Sequence, residues 1–109
     1  WPDGKVIRIG LGPIVAAMES VIEGSVTIIG KPQRAFFDAA LAHSGFTRED
    51  TVMIGDSIAS DIVGAIDAGL HSLLVRTGNS ATDPLPAGCD GELASIADLP
   101  QWCDARFPD

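Results

Sequence analysis

Two aspartates, Asp56 and Asp61, are the residues of this sequence whose type and spacing best fit a reactive site. They follow the apolar run 52–54, which shows no polar alternation and therefore predicts a buried parallel strand. Gly55 allows a tight turn, and a helix is predicted next because isoleucines recur at helical spacing as far as Ile66. Ligands of open α/β sheets bind outside the carboxyl ends of the strands. This turn is therefore a candidate cation or phosphate site.

The same residues also allow a purely structural interpretation. Asp56 and Ser57 could cap the predicted helix, and Asp61 could stabilise its first turn through the helix dipole. Lys31, which precedes Pro32, is by itself typical of a solvated residue at a helix start. Clustered acidic residues mark functional sites only in some proteins, so spacing alone leaves both interpretations open.

The elements that would position these side chains alternate along the chain. Apolar residues at helical spacing predict helices over residues 13–24 and 32–45, each opened by a proline and closed by a glycine. Besides 52–54, the runs 26–29 and 70–75 predict strands. This alternation predicts an α/β fold with a parallel sheet and right-handed crossovers.

Weaker signals mark the two ends of the chain. A short strand is predicted within Lys5–Ile9, and residues 79–91 predict a loop because they are rich in Asn, Asp, Pro and Gly. Ser95 and Asp98 have the spacing of a capping box, so a last helix is predicted to begin there, with Trp102 covering one edge of the core.

Composition limits the function. The 109 residues suffice for one domain, and their net charge of −8 repels nucleic acid and anionic lipid but suits divalent cations. Cys89 and Cys103 stand far apart without a zinc-binding pattern, which favours reduced thiols and a cytoplasmic location. No apolar run reaches the roughly 18 residues that a membrane span needs.

Several short motifs, taken in order, resemble the C-terminal part of the haloacid dehalogenase (HAD) superfamily. Gly30-Lys31-Pro32 resembles the third motif of that family, and Gly55-Asp56 through Asp61 resembles its fourth. Arg76-Thr77-Gly78 matches as well. The most similar subfamily carries an α/β cap and includes sugar-phosphate and nitrophenyl phosphatases. The resemblance implies a three-layer, Rossmann-like parallel sheet with flanking helices, incomplete relative to the family, in which 1–12 are a remnant of cap or linker and 13–109 the C-terminal half of the core.

The resemblance also implies roles for three residues. Asp56 and Asp61 would be the metal residues of a Mg²⁺-dependent phosphate monoester phosphatase, and Asp61 would either assist the metal or orient Lys31. Lys31 would be catalytic, pairing with the nucleophile and with the phosphoryl group taken from a small phosphorylated metabolite.

The nucleophile of that family is absent. It comes from an Asp-x-Asp after the first strand, and no two aspartates here stand two residues apart. Asp90-Gly91-Glu92 has carboxylates at that spacing but is predicted to lie in a loop. We therefore expect little or no turnover from this chain alone. The alternatives are a non-catalytic binding module on the same fold and a piece that a partner chain completes.

The missing strand has a structural consequence. Without it, the strand at 52–54 would lie at an edge of the sheet, where unpaired backbone groups attract another strand. We expect a homo-oligomer or a complementing chain to cover that edge, unless residues 26–29 or the Lys5–Ile9 segment pairs with it.

Overall fold

The computed structural model describes residues 2–3, 6–7 and 9–108 of the chain. Its main sheet is parallel and has three strands in the order β3-β4-β5, namely β3 (Val52–Gly55), β4 (His71–Val75) and β5 (Gly91–Leu93). Val52 pairs with His71, and Leu73 with Gly91. Two further strands, β1 (Pro2–Asp3) and β2 (Val6–Ile7), form a separate antiparallel pair. The parallel α/β fold predicted from the alternating pattern is confirmed.

In the described residues, four α-helices accompany the strands. They are α1 (Leu11–Glu19), α2 (Arg34–Ser44), α3 (Val63–Asp67) and α4 (Leu99–Arg106). A π-helical turn, Ile58–Ile62, runs directly into α3, and a 3-10 turn, Ile96–Asp98, runs directly into α4. Gly45 and Gly69 follow α2 and α3 with φ of 77° each, a conformation in which glycine is favoured at a helix end. No helix in the described part of the chain is long and apolar enough to cross a bilayer.

The core lies between β4 and the helices α2 and α3. Leu73 and Leu74 of β4 are fully buried, as is Ile62. Phe37 and Leu41 of α2 pack with apolar residues of α3 and of the segment after it, Ala65, Ala68 and Leu70. Gly64 permits this contact, because a Cβ there would lie 2.7 Å from Phe37 Cε2 and 2.9 Å from the Pro32 backbone. The helices therefore pack at a distance that a larger residue would prevent.

Several predicted elements differ from the structure. The strand predicted at 26–29 is wrong: these residues form no strand, and Val26, Ile28 and Ile29 are exposed. β-Branched residues favour a strand only where a partner strand receives them. The loop predicted over 79–91 runs too far, because Gly91 begins β5. The first helix begins at Leu11 rather than at residue 13, and it ends at Glu19 rather than at residue 24.

The edge position of β3 is confirmed. Within the described residues, β3 pairs only with β4, so its other side carries no strand. Neither suggested local substitute covers it, because 26–29 form no strand and β2 pairs with β1. Lys5 and Arg8, which belong to the predicted Lys5–Ile9 strand, lie outside the described residues.

Candidate functional site

Asp56 lies directly after β3, at the carboxyl end of the sheet. Its Oδ2 accepts a hydrogen bond of 2.9 Å from the Asn79 backbone N–H. Its backbone carbonyl accepts another of 2.9 Å from the Ser80 N–H. The loop that follows β4 therefore holds Asp56 from one side, as expected where the ends of neighbouring parallel strands meet.

Asp61 is almost completely buried, with 3% of its surface exposed. Its Oδ2 accepts hydrogen bonds from the backbone N–H groups of Asp56, at 3.2 Å, and of Ser57, at 3.1 Å. The Ser60 hydroxyl donates to its Oδ1 at 3.3 Å. One carboxylate thus fixes the tight turn between β3 and the π-helical turn, because it satisfies N–H groups that would otherwise be left without partners.

Lys31 reaches this site from the turn that precedes α2. Its Nζ lies 2.7 Å from Asp61 Oδ1, while 39% of the lysine side chain stays exposed and only 4% of the aspartate side chain does. Burial raises the pKa of Asp61, but hydrogen bonds from Lys31 and from the Ser57 N–H outweigh burial, so the net shift is downward. The structure therefore joins two of the predicted residues directly, Lys31 and Asp61, and links the third, Asp56, through its backbone.

Two glycines allow the carboxylates to lie this close to the backbone. A Cβ on Gly55 would come within 2.3 Å of Asp61 Oδ2, and a Cβ on Gly78 within 2.0 Å of Asp56 Oδ2. Both glycines belong to motifs that are visible in the sequence, but no sequence pattern predicts that they make room for the two carboxylates. Their signal is their position, Gly55 at the last residue of β3 and Gly78 three residues after β4, where the backbone meets the site.

The structural interpretation also holds in part. Ser57 is the N-cap of the π-helical turn and accepts a hydrogen bond from the Ser60 N–H at 3.4 Å. Asp56 instead accepts its hydrogen bond from the loop after β4, so its carboxylate is bound by another element rather than by the helix that follows.

The donor set fits part of a magnesium site. Mg²⁺ prefers carboxylate oxygens and keeps several waters. Asp56 supplies one carboxylate, whereas both oxygens of Asp61 already accept hydrogen bonds within the protein. Among the side chains of residues 9–108, no group of three or more His, Cys, Asp and Glu is arranged to hold a metal. The described residues could therefore provide only some of the ligands, and ligation by Asp61 stays a prediction.

Other charged residues near the strands have structural contacts. Arg76 donates from Nε to Glu92 Oε2 at 2.9 Å and from Nη1 to the carbonyls of Ser80 and Asp83 at 2.9 and 2.6 Å. Asp90 accepts a hydrogen bond of 2.9 Å from the Ser72 N–H and lies 3.0 Å from His71 Nδ1. Asp90 precedes β5 and His71 begins β4, so this pair lies at the amino ends of the strands, away from Asp56.

Comparisons with known proteins agree with this geometry. The HAD-hydrolase-like family model matches residues 28–99. Haloacid dehalogenase-like hydrolase domain-containing protein 2 of Bos taurus is 43% identical over 72 residues, which cover 66% of this chain and 28% of that protein. The human phospholysine phosphohistidine inorganic pyrophosphate phosphatase is 38% identical over 78 residues, 72% of this chain and 29% of that protein.

A solved structure supports the same assignment. NagD from E. coli K-12 superposes with a TM-score of 0.72 at 28% identity, over 87% of this chain and 39% of that chain. The chain thus spans 28 to 39% of the length of these similar proteins. The motifs around Lys31 and Asp56 lie within the matched residues 28–99. The chain belongs to the HAD-like hydrolase family.

Proposed function

We propose that this chain supplies the lysine and magnesium half of a phosphate monoester phosphatase. The observation that carries the proposal is the 2.7 Å ion pair between Lys31 and the buried Asp61, which is linked by hydrogen bonds to Asp56 at the carboxyl end of β3. Cations are needed at such a site because phosphoryl transfer brings two anions together.

Each residue has a separate task in this proposal. Asp56 would hold Mg²⁺, which when bound would offset the negative charge of the phosphate. Asp61 would orient Lys31, since one of its oxygens accepts from the lysine and the other from the turn. Lys31 keeps 39% of its side chain exposed, so its ammonium group remains accessible to a phosphate.

The nucleophile would come from outside these 109 residues, which contain no Asp-x-Asp pair. We propose that residues 13–109 are the C-terminal half of the core and that 1–12 belong to a cap or linker. The substrate of the complete protein would be a small phosphorylated metabolite. Its activity would reside in the cytoplasm, where the free thiols of Cys89 and Cys103 would stay reduced.

Mg²⁺ binding tests the role of Asp56. We expect millimolar Mg²⁺ to raise the thermal unfolding temperature of the wild-type chain, because a ligand of the folded state stabilises it by about 1.4 kcal/mol at ten times its Kd. Asp56→Asn should abolish the shift. Asp104→Asn is the matched control, since it removes the same charge from an exposed position in α4. An equal Mg²⁺ response in wild type and Asp56→Asn would refute the metal role.

A non-catalytic binding module is the second candidate, favoured by the absence of an Asp-x-Asp motif from these 109 residues. Both candidates predict little or no hydrolysis of an aryl phosphate by a preparation whose measured mass matches that of these 109 residues alone. Turnover lost in Asp56→Asn would instead reveal an unrecognised nucleophile. Co-purification of a second chain, with turnover in the complex, would favour the phosphatase half over the binding module.

A further inference from the structure

We propose that Ser80 is a positioning residue that fixes the carboxylate of Asp56. This inference rests on the proposed function, in which Asp56 holds the cation. Ser80 lies 24 positions after Asp56 in the sequence (80 − 56 = 24), and it is buried, with 6% of its surface exposed.

Ser80 binds the turn that carries Asp56 at two points. Its backbone N–H donates to the Asp56 carbonyl at 2.9 Å. Its hydroxyl oxygen accepts from the Ile58 N–H at 3.1 Å. Because these contacts lie on either side of Ser57, they hold the whole turn against the loop after β4.

The neighbours of Ser80 complete the contact. Asn79 donates its N–H to Asp56 Oδ2 at 2.9 Å, and Gly78 leaves room for that oxygen. Within the described residues, Asp56 Oδ1 accepts no hydrogen bond. The Gly78–Ser80 segment therefore occupies one oxygen of Asp56 and leaves the other for a cation.

Arg76 connects the Gly78–Ser80 segment to β5 through hydrogen bonds to both. Arg76 Nη1 donates to the Ser80 carbonyl at 2.9 Å, while Arg76 Nε donates to Glu92 at 2.9 Å. Removing the Ser80 hydroxyl would leave the Ile58 N–H without its partner and free the turn to move against this fixed loop. Asp56 would then lose the orientation that Asn79 gives it.

The test compares Ser80→Ala with Ser80→Thr and with Ser72→Ala. Ser72 is the matched control, because it is a fully buried serine in β4 whose hydroxyl has no partner among the described residues. Amide hydrogen exchange is measured by NMR without Mg²⁺, and the exchange of the Asn79 N–H is normalised to that of Leu74 in the core. Each variant is then titrated with Mg²⁺, using the Asn79 resonance as the reporter.

We expect normalised Asn79 exchange to rise about tenfold in Ser80→Ala, as its local opening becomes easier. The Kd for Mg²⁺ should rise about fivefold, because the Asp56 carboxylate is no longer held in the orientation that binds the cation. Ser80→Thr should restore both values, since it keeps the hydroxyl, and Ser72→Ala should match the wild type.

The outcomes separate this inference from the proposed function. Equal normalised Asn79 exchange in Ser80→Ala and Ser72→Ala would overturn the positioning role. If Asp56→Asn abolished Mg²⁺ binding but Ser80→Ala left the Kd unchanged, the metal role would stand and the positioning role would fall. If the wild type did not respond to Mg²⁺, the metal role of Asp56 would fail, and the exchange data alone would decide whether Ser80 fixes Asp56.

Discussion

Asp61 uses both of its carboxylate oxygens inside the protein. Lys31 and the Ser60 hydroxyl donate to Oδ1, and the N–H groups of Asp56 and Ser57 donate to Oδ2. Charged acceptors form stronger hydrogen bonds than neutral ones do. The ionised state of this single residue therefore supports both the turn and the position of the lysine.

The acid stability of the protein should depend on this carboxylate. Its pKa is lowered in the folded state, so its contribution to stability is complete above its unfolded pKa of about 4 and is lost as the pH falls through the folded pKa. Asp61→Asn should reduce the free energy of unfolding at pH 7 by about 1–3 kcal/mol, because the amide brings a donor to a place that needs acceptors. The variant should then lose less stability than the wild type between pH 7 and pH 3.

Urea unfolding at the two pH values measures this difference. Asp38 and Asp90 also have a lowered pKa, the first beside Arg48 and the second through the Ser72 N–H, so part of the acid sensitivity remains in the variant. Asp104→Asn, at an exposed position, is the control. An Asp61→Asn curve parallel to the wild-type curve would show that the residue does not titrate with folding.

The contribution of single residues could be foreseen only in part. Lys31, Asp56 and Asp61 belong to motifs that are visible in the sequence. Gly78 and Ser80 lie in the loop after β4, which contacts the turn that carries Asp56. No local sequence pattern predicts a contact between these two segments. Their role depends on distances between residues that are far apart in the sequence, which a local pattern does not encode.

Among the elements, the contact between α2 and α3 depends on Gly64. Gly64→Ala should lower the free energy of unfolding by about 1–3 kcal/mol, because its Cβ meets Phe37 and the backbone of Pro32, and backbone cannot move aside as a flexible side chain can. Chemical denaturation measures the change.

Gly12→Ala is the matched control for this substitution. Gly12 lies in α1, and a Cβ there has nothing within 4 Å. This change should raise stability by about 0.5–1 kcal/mol or leave it unchanged. Gly64→Ala without destabilisation would mean that the two helices are free to separate.

An element could be predicted from the sequence when the groups it bonds to are close to it in the chain. The capping box at Ser95 and Asp98 is confirmed, with hydrogen bonds of 3.2 Å to the Ser95 hydroxyl and 2.9 Å to the Asp98 carboxylate, because all its groups are local. Strand β5 was not predicted, because it has only three residues and depends on pairing with β4. The strand expected at 26–29 lacked such a partner. Strands are products of pairing as much as of their own residues.

At the scale of the whole molecule, apolar side chains of α2 and β3 remain exposed. They line a groove of about 220 Å³, and Phe36, Phe46 and Val52 on its walls are exposed by 37%, 68% and 37%. Helix α1 buries none of its residues and exposes Leu11 and Ile14. Surface of this kind is typical of an interface, in keeping with the partner proposed above.

Self-association should reveal whether the β3 edge drives it. We expect concentration-dependent association, strengthened by salt, because added ions screen the repulsion between chains of net charge −8. Val52→Lys should weaken association at least tenfold, since a lysine on an edge strand blocks further pairing. Sedimentation equilibrium at low and high salt measures both effects.

Val63→Lys is the control, because Val63 has the same exposed fraction of 37% but lies in α3, away from the edge. An equal loss of association in the two variants would assign the effect to apolar surface in general rather than to the strand edge.

The sheet order β3-β4-β5 also bears on how the chain reaches its native state. Paired residues lie only 19 positions apart between β3 and β4 (71 − 52 = 19) and 18 apart between β4 and β5 (91 − 73 = 18). Closing such short loops costs little entropy, and contacts of small sequence separation accompany fast folding. The turn that carries Asp56 and the loop that carries Ser80 thus belong to one segment of short sequence separation. Within it, β4 pairs with both β3 and β5.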